Sequence, residues 1–174
     1  VSARRGLDAS PEAGAIIGAS MGGFGALSIG LQHPERFGTI IALSPTDLEI
    51  AVTDAPKRTV YLNVLGSPVS AAQLARINPR HLVARGCGTN QQLVLGWGDA
   101  EARKFAEGGQ RLAKAARAAG IALRTRIVVG GRHGWASTWN QLYPWWSAAL
   151  RKRFSAIEPL RPTGKPIADD PPLP

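Results

Sequence analysis

The chain has 174 residues, room for one domain with its own core, and its 44% hydrophobic and 19% charged content excludes an unfolded chain. No apolar run approaches the ~18 residues needed to span a bilayer, and the opening VSARRGLDAS holds no apolar stretch of signal-peptide length. The net charge of +9 rests on arginines scattered along the chain, clustered only as RKR at 151–153 and without a nucleic-acid motif, so a solvated basic surface is expected rather than nucleic-acid binding.

A single cysteine, Cys87 in RGCGTN, excludes an internal disulfide, and no neighbouring Cys or His completes a metal set. The chain does not start with Met, so cytoplasmic, periplasmic and secreted locations all stay open.

In chain order, AGAIIGA (13–19) predicts a short buried strand and GGFGALSIGLQ (22–32) the helix after it. FGTIIAL (37–43) predicts a second strand that ends at Ser44-Pro45. Residues 46–90, with VYLNVL and INPRHLV, have ambiguous periodicity and read as an inserted cap or loop rather than sheet core. QQLVLGW (91–97) predicts a third strand.

Residues 100–119 give the clearest helix. Phe105, Leu112, Ala116 and Ala119 share a stripe with Gly109, and Arg103, Lys104, Arg111, Lys114 and Arg117 line the other side. Gly120 supplies its stop. IALRTRIVV (121–129) predicts a fourth strand, and STWNQLYPWWSAALRKRF (137–154) a closing helix that Pro144 either kinks or restarts. From about Glu158, EPLRPTGKPIADDPPLP reads as a proline-rich tail or linker. Strands alternating with helices predict an α/β fold with a mostly parallel sheet over residues 1–157. Four strands are few for a sheet covered on both faces, so part of the sheet is expected to be missing.

Gly18-Ala19-Ser20-Met21-Gly22 matches G-x-S-x-G between a predicted strand and a predicted helix. Such a turn holds a serine hydroxyl above the sheet, with glycines on both sides removing side chains that would collide across the bend. The alternatives are a glycine-rich turn with an incidental serine, or a phosphate loop, for which the required GK[ST] or G-x-G-x-x-G is missing. With Ser20 as nucleophile, the N–H of Met21 at the helix N-terminus is an expected oxyanion donor.

A serine needs a base. His33 lies at the far end of the first helix and His81 in the ambiguous region, where a surface or packing role is expected. His133, in GGRHGW after the fourth strand, falls at the same sheet edge as Ser20 and is the candidate base. Between them in the chain, Asp99 follows the third strand and is the favoured orienting acid, although an Asp in that place also suits a helix N-cap. Glu101 is the second candidate.

These segments resemble the second half of an α/β-hydrolase of the esterase family that groups esterase D (S-formylglutathione hydrolase), feruloyl esterases, enterochelin esterases and the antigen 85 mycolyltransferases. GASMGGFGALSIGLQHPERFGTIIALSP is similar to that family's nucleophile segment, GWGDAE to its acid loop and GGRHGWASTWNQLYPWW to its histidine loop. The resemblance covers roughly residues 13–150 and implies Ser20, Asp99 and His133 as a triad hydrolysing a small-molecule ester through an acyl-enzyme, with neither metal nor cofactor. Acyl transfer to an alcohol and a non-catalytic binding fragment are the other readings. The family carries further strands before the nucleophile, including a loop with a second oxyanion donor, so an N-terminal fragment of the same protein is an expected partner and full activity is expected to need it.

Trp139 and Trp146 share a stripe with Leu142 and read as core under the closing helix, while Trp97 and Trp135 flank the acid and the base and are candidates to line a substrate pocket.

Overall fold

Short runs of β-branched and small apolar residues, bounded by glycine or serine turns, form four strands in a computed structural model that describes residues 10–54 and 58–155. They are β1 (Ala15–Ala19), β2 (Thr39–Leu43), β3 (Gln92–Gly98) and β4 (Ala122–Val128). All pair in parallel, in the spatial order β1-β2-β3-β4. Ala19 lies beside Leu43, Leu43 beside Gly96 and Gly98 beside Val128, so the four carboxyl ends share one edge of the sheet. The loops that leave those ends can therefore meet, as in other open α/β sheets.

Seven α-helices accompany the strands among the described residues: α1 (Met21–Gln32), α2 (Leu48–Thr53), α3 (Arg58–Leu65), α4 (Ala71–Ile77), α5 (Pro79–Ala84), α6 (Arg103–Ala118) and α7 (Asn140–Phe154). Leu27 and Leu31 of α1, Leu82 and Val83 of α5, and Leu112 and Ala116 of α6 bury against Ile40, Leu93 and Leu95 on one face of the sheet. On the other face, Leu142 and Ala149 of α7 pack on Ile41, Leu43, Val94 and Val128. Burying each such Leu, Ile or Val side chain contributes about 1.5–3 kcal/mol, and the two-sided cover leaves β2 buried along its whole length.

The strand and helix order follows the expectation from sequence, but β1, at the edge of the four strands, is only partly buried, with Ile17 45% exposed. Three further differences concern the helices. Residues 46–90 are largely helical rather than irregular, and α5 belongs to the main core layer, since Leu82 and Val83 are fully buried there. Asn78-Pro79 starts α5 with proline at its first position, a placement that suits proline, and the helix is only six residues long, too few for a readable period. By contrast α2 and α3 contribute Leu48, Ala51 and Tyr61 to a separate small cluster against Phe24, which does have the character of a cap.

The closing helix is the second difference. It opens with a π-helical turn, Trp135–Trp139, and α7 then runs through Pro144, its fifth residue, without ending. Third, Lys104 is buried rather than on the polar side of α6, its ammonium 5.0 Å from the Tyr61 ring centroid and 5.1 Å from that of Phe105. The proline-rich tail expected from Glu158 lies outside the described residues. Among the described residues no helix is long and apolar enough to cross a membrane.

Candidate active site

Ser20 sits between β1 and α1 with φ 57° and ψ −122°, a backbone conformation that L-residues rarely adopt. Its N–H donates to the Leu43 carbonyl at 2.9 Å, which ties the turn to the end of β2. The bend is so tight that a Cβ at Gly18 would overlap the Gly22 carbonyl, so glycine is required at that position. Strain of this kind persists only where the surroundings impose it. Here it lifts the hydroxyl to the carboxyl edge of the sheet. The N–H of Met21, at the first position of α1, has no acceptor within the helix.

Across 113 residues of sequence, His133 Nε2 lies 2.9 Å from Ser20 Oγ. The histidine loop is shaped by Gly130 (φ 68°) and Gly134 (φ 124°). It is pinned where the Arg132 N–H donates to Ser137 Oγ (2.7 Å) and the buried Thr138 hydroxyl donates to the Arg132 carbonyl (2.6 Å). Phe105 stacks on the imidazole with ring centroids 3.8 Å apart and planes 16° from parallel. Trp139 meets it edge-on at 5.1 Å. The ring therefore has little freedom to turn.

The carboxylate that faces this ring is Glu101, not the favoured Asp99. Glu101 Oε2 lies 3.5 Å from His133 Nδ1, a long contact, and the Glu101 side chain has no solvent exposure. Its other oxygen, Oε1, accepts from Ser44 Oγ at 2.7 Å. Asp99 is exposed at the end of β3, and its Oδ1 accepts from the Gly130 N–H at 2.7 Å, bracing the histidine loop from outside. The reason is the turn after β3. Ala100 N–H donates to the Gly131 carbonyl and Glu101 N–H to the Gly98 carbonyl, which brings the second carboxylate inward. Nor is Asp99 a helix cap, since the cap position of α6 is Ala102.

Of the two tryptophans placed beside the site, only Trp135 is near solvent. It is 59% exposed and edge-on to Trp139 at 5.4 Å. Trp97 is 2% exposed in the core beneath α6, where a Cβ at Gly109 would come within 2.8 Å of its ring, so it lines no pocket. His81 is paired with Glu49, and His33 with Glu35 at 3.1 Å in an exposed loop, so neither approaches Ser20. Burial alone would raise the Glu49 pKa, but the His81 and Arg80 contacts outweigh it and hold the carboxyl below the usual glutamate range. No group of three or more His, Cys, Asp or Glu among the described residues is placed to hold a metal ion.

Three functional candidates were hidden from sequence reasoning: Ser44, Phe105 and Trp139. Ser44 had one signal, its place directly after β2 at the edge that carries Ser20 and His133.

A family model described as "Putative esterase" matches residues 2–152. The S-formylglutathione hydrolase from Agrobacterium tumefaciens has a similar fold, with TM-score 0.64 at 24% identity over 87% of this chain and 51% of that one. Mycobacterium tuberculosis MPT51 (FbpC1) matches with TM-score 0.63 at 19% identity, over 90% of this chain and 64% of that one. A puromycin-hydrolyzing peptidase from Mycobacterium tuberculosis matches with TM-score 0.70 at 17% identity, over 94% of this chain and 24% of that one. At these identities the likeness establishes an α/β-hydrolase-type fold, and this chain spans less than two thirds of each of those chains. No curated protein matches the sequence.

Proposed function

This chain belongs to the esterase family, and from that premise we propose that it is a serine hydrolase of carboxylic esters, with Ser20 as nucleophile, His133 as base and Glu101 as orienting acid. The 2.9 Å approach of Ser20 Oγ to His133 Nε2, on a strained strand-to-helix turn, carries the reading.

Ser20 Oγ attacks the ester carbonyl carbon as its proton passes to His133 Nε2. The carbonyl π pair moves onto oxygen, and the Met21 N–H stabilises the resulting anion. Losing one such donor typically costs a factor of about 10²–10³ in kcat. The anion collapses, the C–O bond to the alcohol breaks, and His133 returns the proton to the departing alkoxide. Water then attacks the acyl-Ser20 ester in the same manner, with His133 taking and returning a proton, and the acid leaves. Ester and water become acid and alcohol, and no proton is left over.

Glu101 acts on the imidazole. By accepting from Nδ1–H it holds the tautomer whose Nε2 lone pair faces Ser20, and it stabilises the imidazolium formed in each half-reaction.

The test is burst kinetics on a chromogenic acetate ester, using the natural protein that contains this chain. An initial release of about one alcohol per active site, lost together with steady turnover in Ser20→Ala, is expected. Undiminished hydrolysis by Ser20→Ala would refute the proposal.

A further inference from the structure

Ser44 plays no part in the chemistry above, yet its surroundings are unusual for a serine at the end of a strand. It is 0% exposed and has φ 46°; Ser20 and Ser44 are the non-glycine residues with positive φ among those described. Its N–H donates to the Gly96 carbonyl at 2.6 Å, fixing this backbone between β2 and β3. In that conformation the hydroxyl reaches two groups at once, Glu101 Oε1 at 2.7 Å and Trp139 Nε1 at 3.0 Å.

The donor and acceptor inventory gives these contacts a direction. An indole N–H can only donate, so Ser44 Oγ accepts from Trp139. The single hydroxyl proton of Ser44 is then committed to Glu101 Oε1. With that oxygen already accepting, Glu101 presents Oε2 to His133, whose Nδ1 must supply the proton of the contact. Nε2 is thereby left with its lone pair toward Ser20, the state a general base needs. Trp139 also closes one edge of the imidazole, so the residue that starts the sequence of donors touches the ring at its end. Its indole N–H is engaged, whereas the buried indole nitrogens of Trp97 and Trp146 find no partner.

We propose that Ser44, oriented by Trp139, is a positioning residue that fixes the Glu101 carboxylate and through it the tautomer of His133. The inference rests on the assignment of Glu101 as the acid and adds the device that keeps that buried carboxylate in place. Every bond concerned lies within the described residues and involves no substrate atom, so the device is built before substrate arrives.

The decisive variant is Ser44→Gly, because glycine accepts the positive φ without strain while the hydroxyl is removed together with its Cβ. It is compared with Glu101→Gln and with the double variant, in the natural protein, on a chromogenic ester. The expected result is a fall in kcat of about 10- to 100-fold with KM within about threefold, because the geometry of the base and not the binding of substrate is disturbed. In the Glu101→Gln background the same change should cost less than about threefold, since residues that act as one unit are non-additive. Trp139→Phe, which keeps a ring and removes the N–H, should lower kcat by about 3- to 10-fold, and it decides the matter should Ser44→Gly not fold.

A Ser44→Gly kcat within twofold of the unmodified protein would overturn the inference, as would an equal loss in both backgrounds, which marks a merely structural role. If Glu101→Gln is inactive while Ser44→Gly is not impaired, the Ser44 role alone fails. If Glu101→Gln keeps full activity, the acid assignment has failed, and the Ser44 role falls with it.

Discussion

Replacing each carboxylate by its amide separates the roles of Glu101 and Asp99. In the proposed mechanism His133 takes the proton of Ser20, and the imidazolium then forms 3.5 Å from a Glu101 carboxylate with no solvent exposure. At an effective dielectric constant of about 20, opposite unit charges some 4 Å apart attract by about 4 kcal/mol. Glu101→Gln removes that charge but keeps an amide dipole, so part of the orientation survives. A loss of about 3–4 kcal/mol of transition-state stabilisation, or roughly 10²–10³ in kcat/KM, is expected. Asp99→Asn removes an exposed charge whose one bond, to the Gly130 N–H, an amide oxygen can still accept, so kcat/KM should stay within about threefold. The assay is initial-rate hydrolysis of a chromogenic ester at neutral pH, with circular dichroism confirming the fold of each variant. If Asp99→Asn loses as much activity as Glu101→Gln, the geometric assignment of the acid is wrong.

The fold and the substrate side give further expectations. Gly18→Ala places a Cβ against the Gly22 carbonyl, backbone that cannot yield, and should lower stability by about 3 kcal/mol in urea denaturation, if the protein folds at all. Trp97→Leu, in the core under α6, should cost about 2–4 kcal/mol of stability and leave the preference among acyl chain lengths unchanged. Trp135→Ala, at an exposed site, should alter KM for long-chain or aromatic esters with stability within about 0.5 kcal/mol.

The cap offers a test by pH. The folded pKa of Glu49 is lowered, so its contribution to stability is present above the ordinary value of 4.5 and is lost as pH falls through the lower folded value. Glu49→Gln should therefore be less stable than the parent at neutral pH by up to about 1 kcal/mol, with the gap closing as the pH drops below 4.5.

What could be read in the sequence was local. IIGASMGG carries the strand, the tight turn and the helix start within eight residues, and glycine spacing alone marks the bend. GGRHGW likewise announces a loop able to fold back over a sheet edge. The choice between Asp99 and Glu101 was not local, because it depends on the bond from the Ala100 N–H to the carbonyl of Gly131, far along the chain. The place of Trp97 is set at long range as well. Its neighbour in the chain is the acid loop, but its side chain enters the groove that Gly109 opens on α6. Residues 46–90 concealed their helices because α2 and α5 are six residues each, shorter than two full turns and too short to establish a period. Ser44 offered only its place after β2, since its partners lie 57 and 95 residues further along.

The most direct measurement is covalent labelling of the natural protein with an alkyl fluorophosphonate, followed by peptide mapping of the adduct. The account predicts one adduct on Ser20, formed at least about 100-fold more slowly in His133→Gln because the hydroxyl then has no base. An adduct on any other residue, or labelling of Ser20 at the same rate without His133, would contradict it.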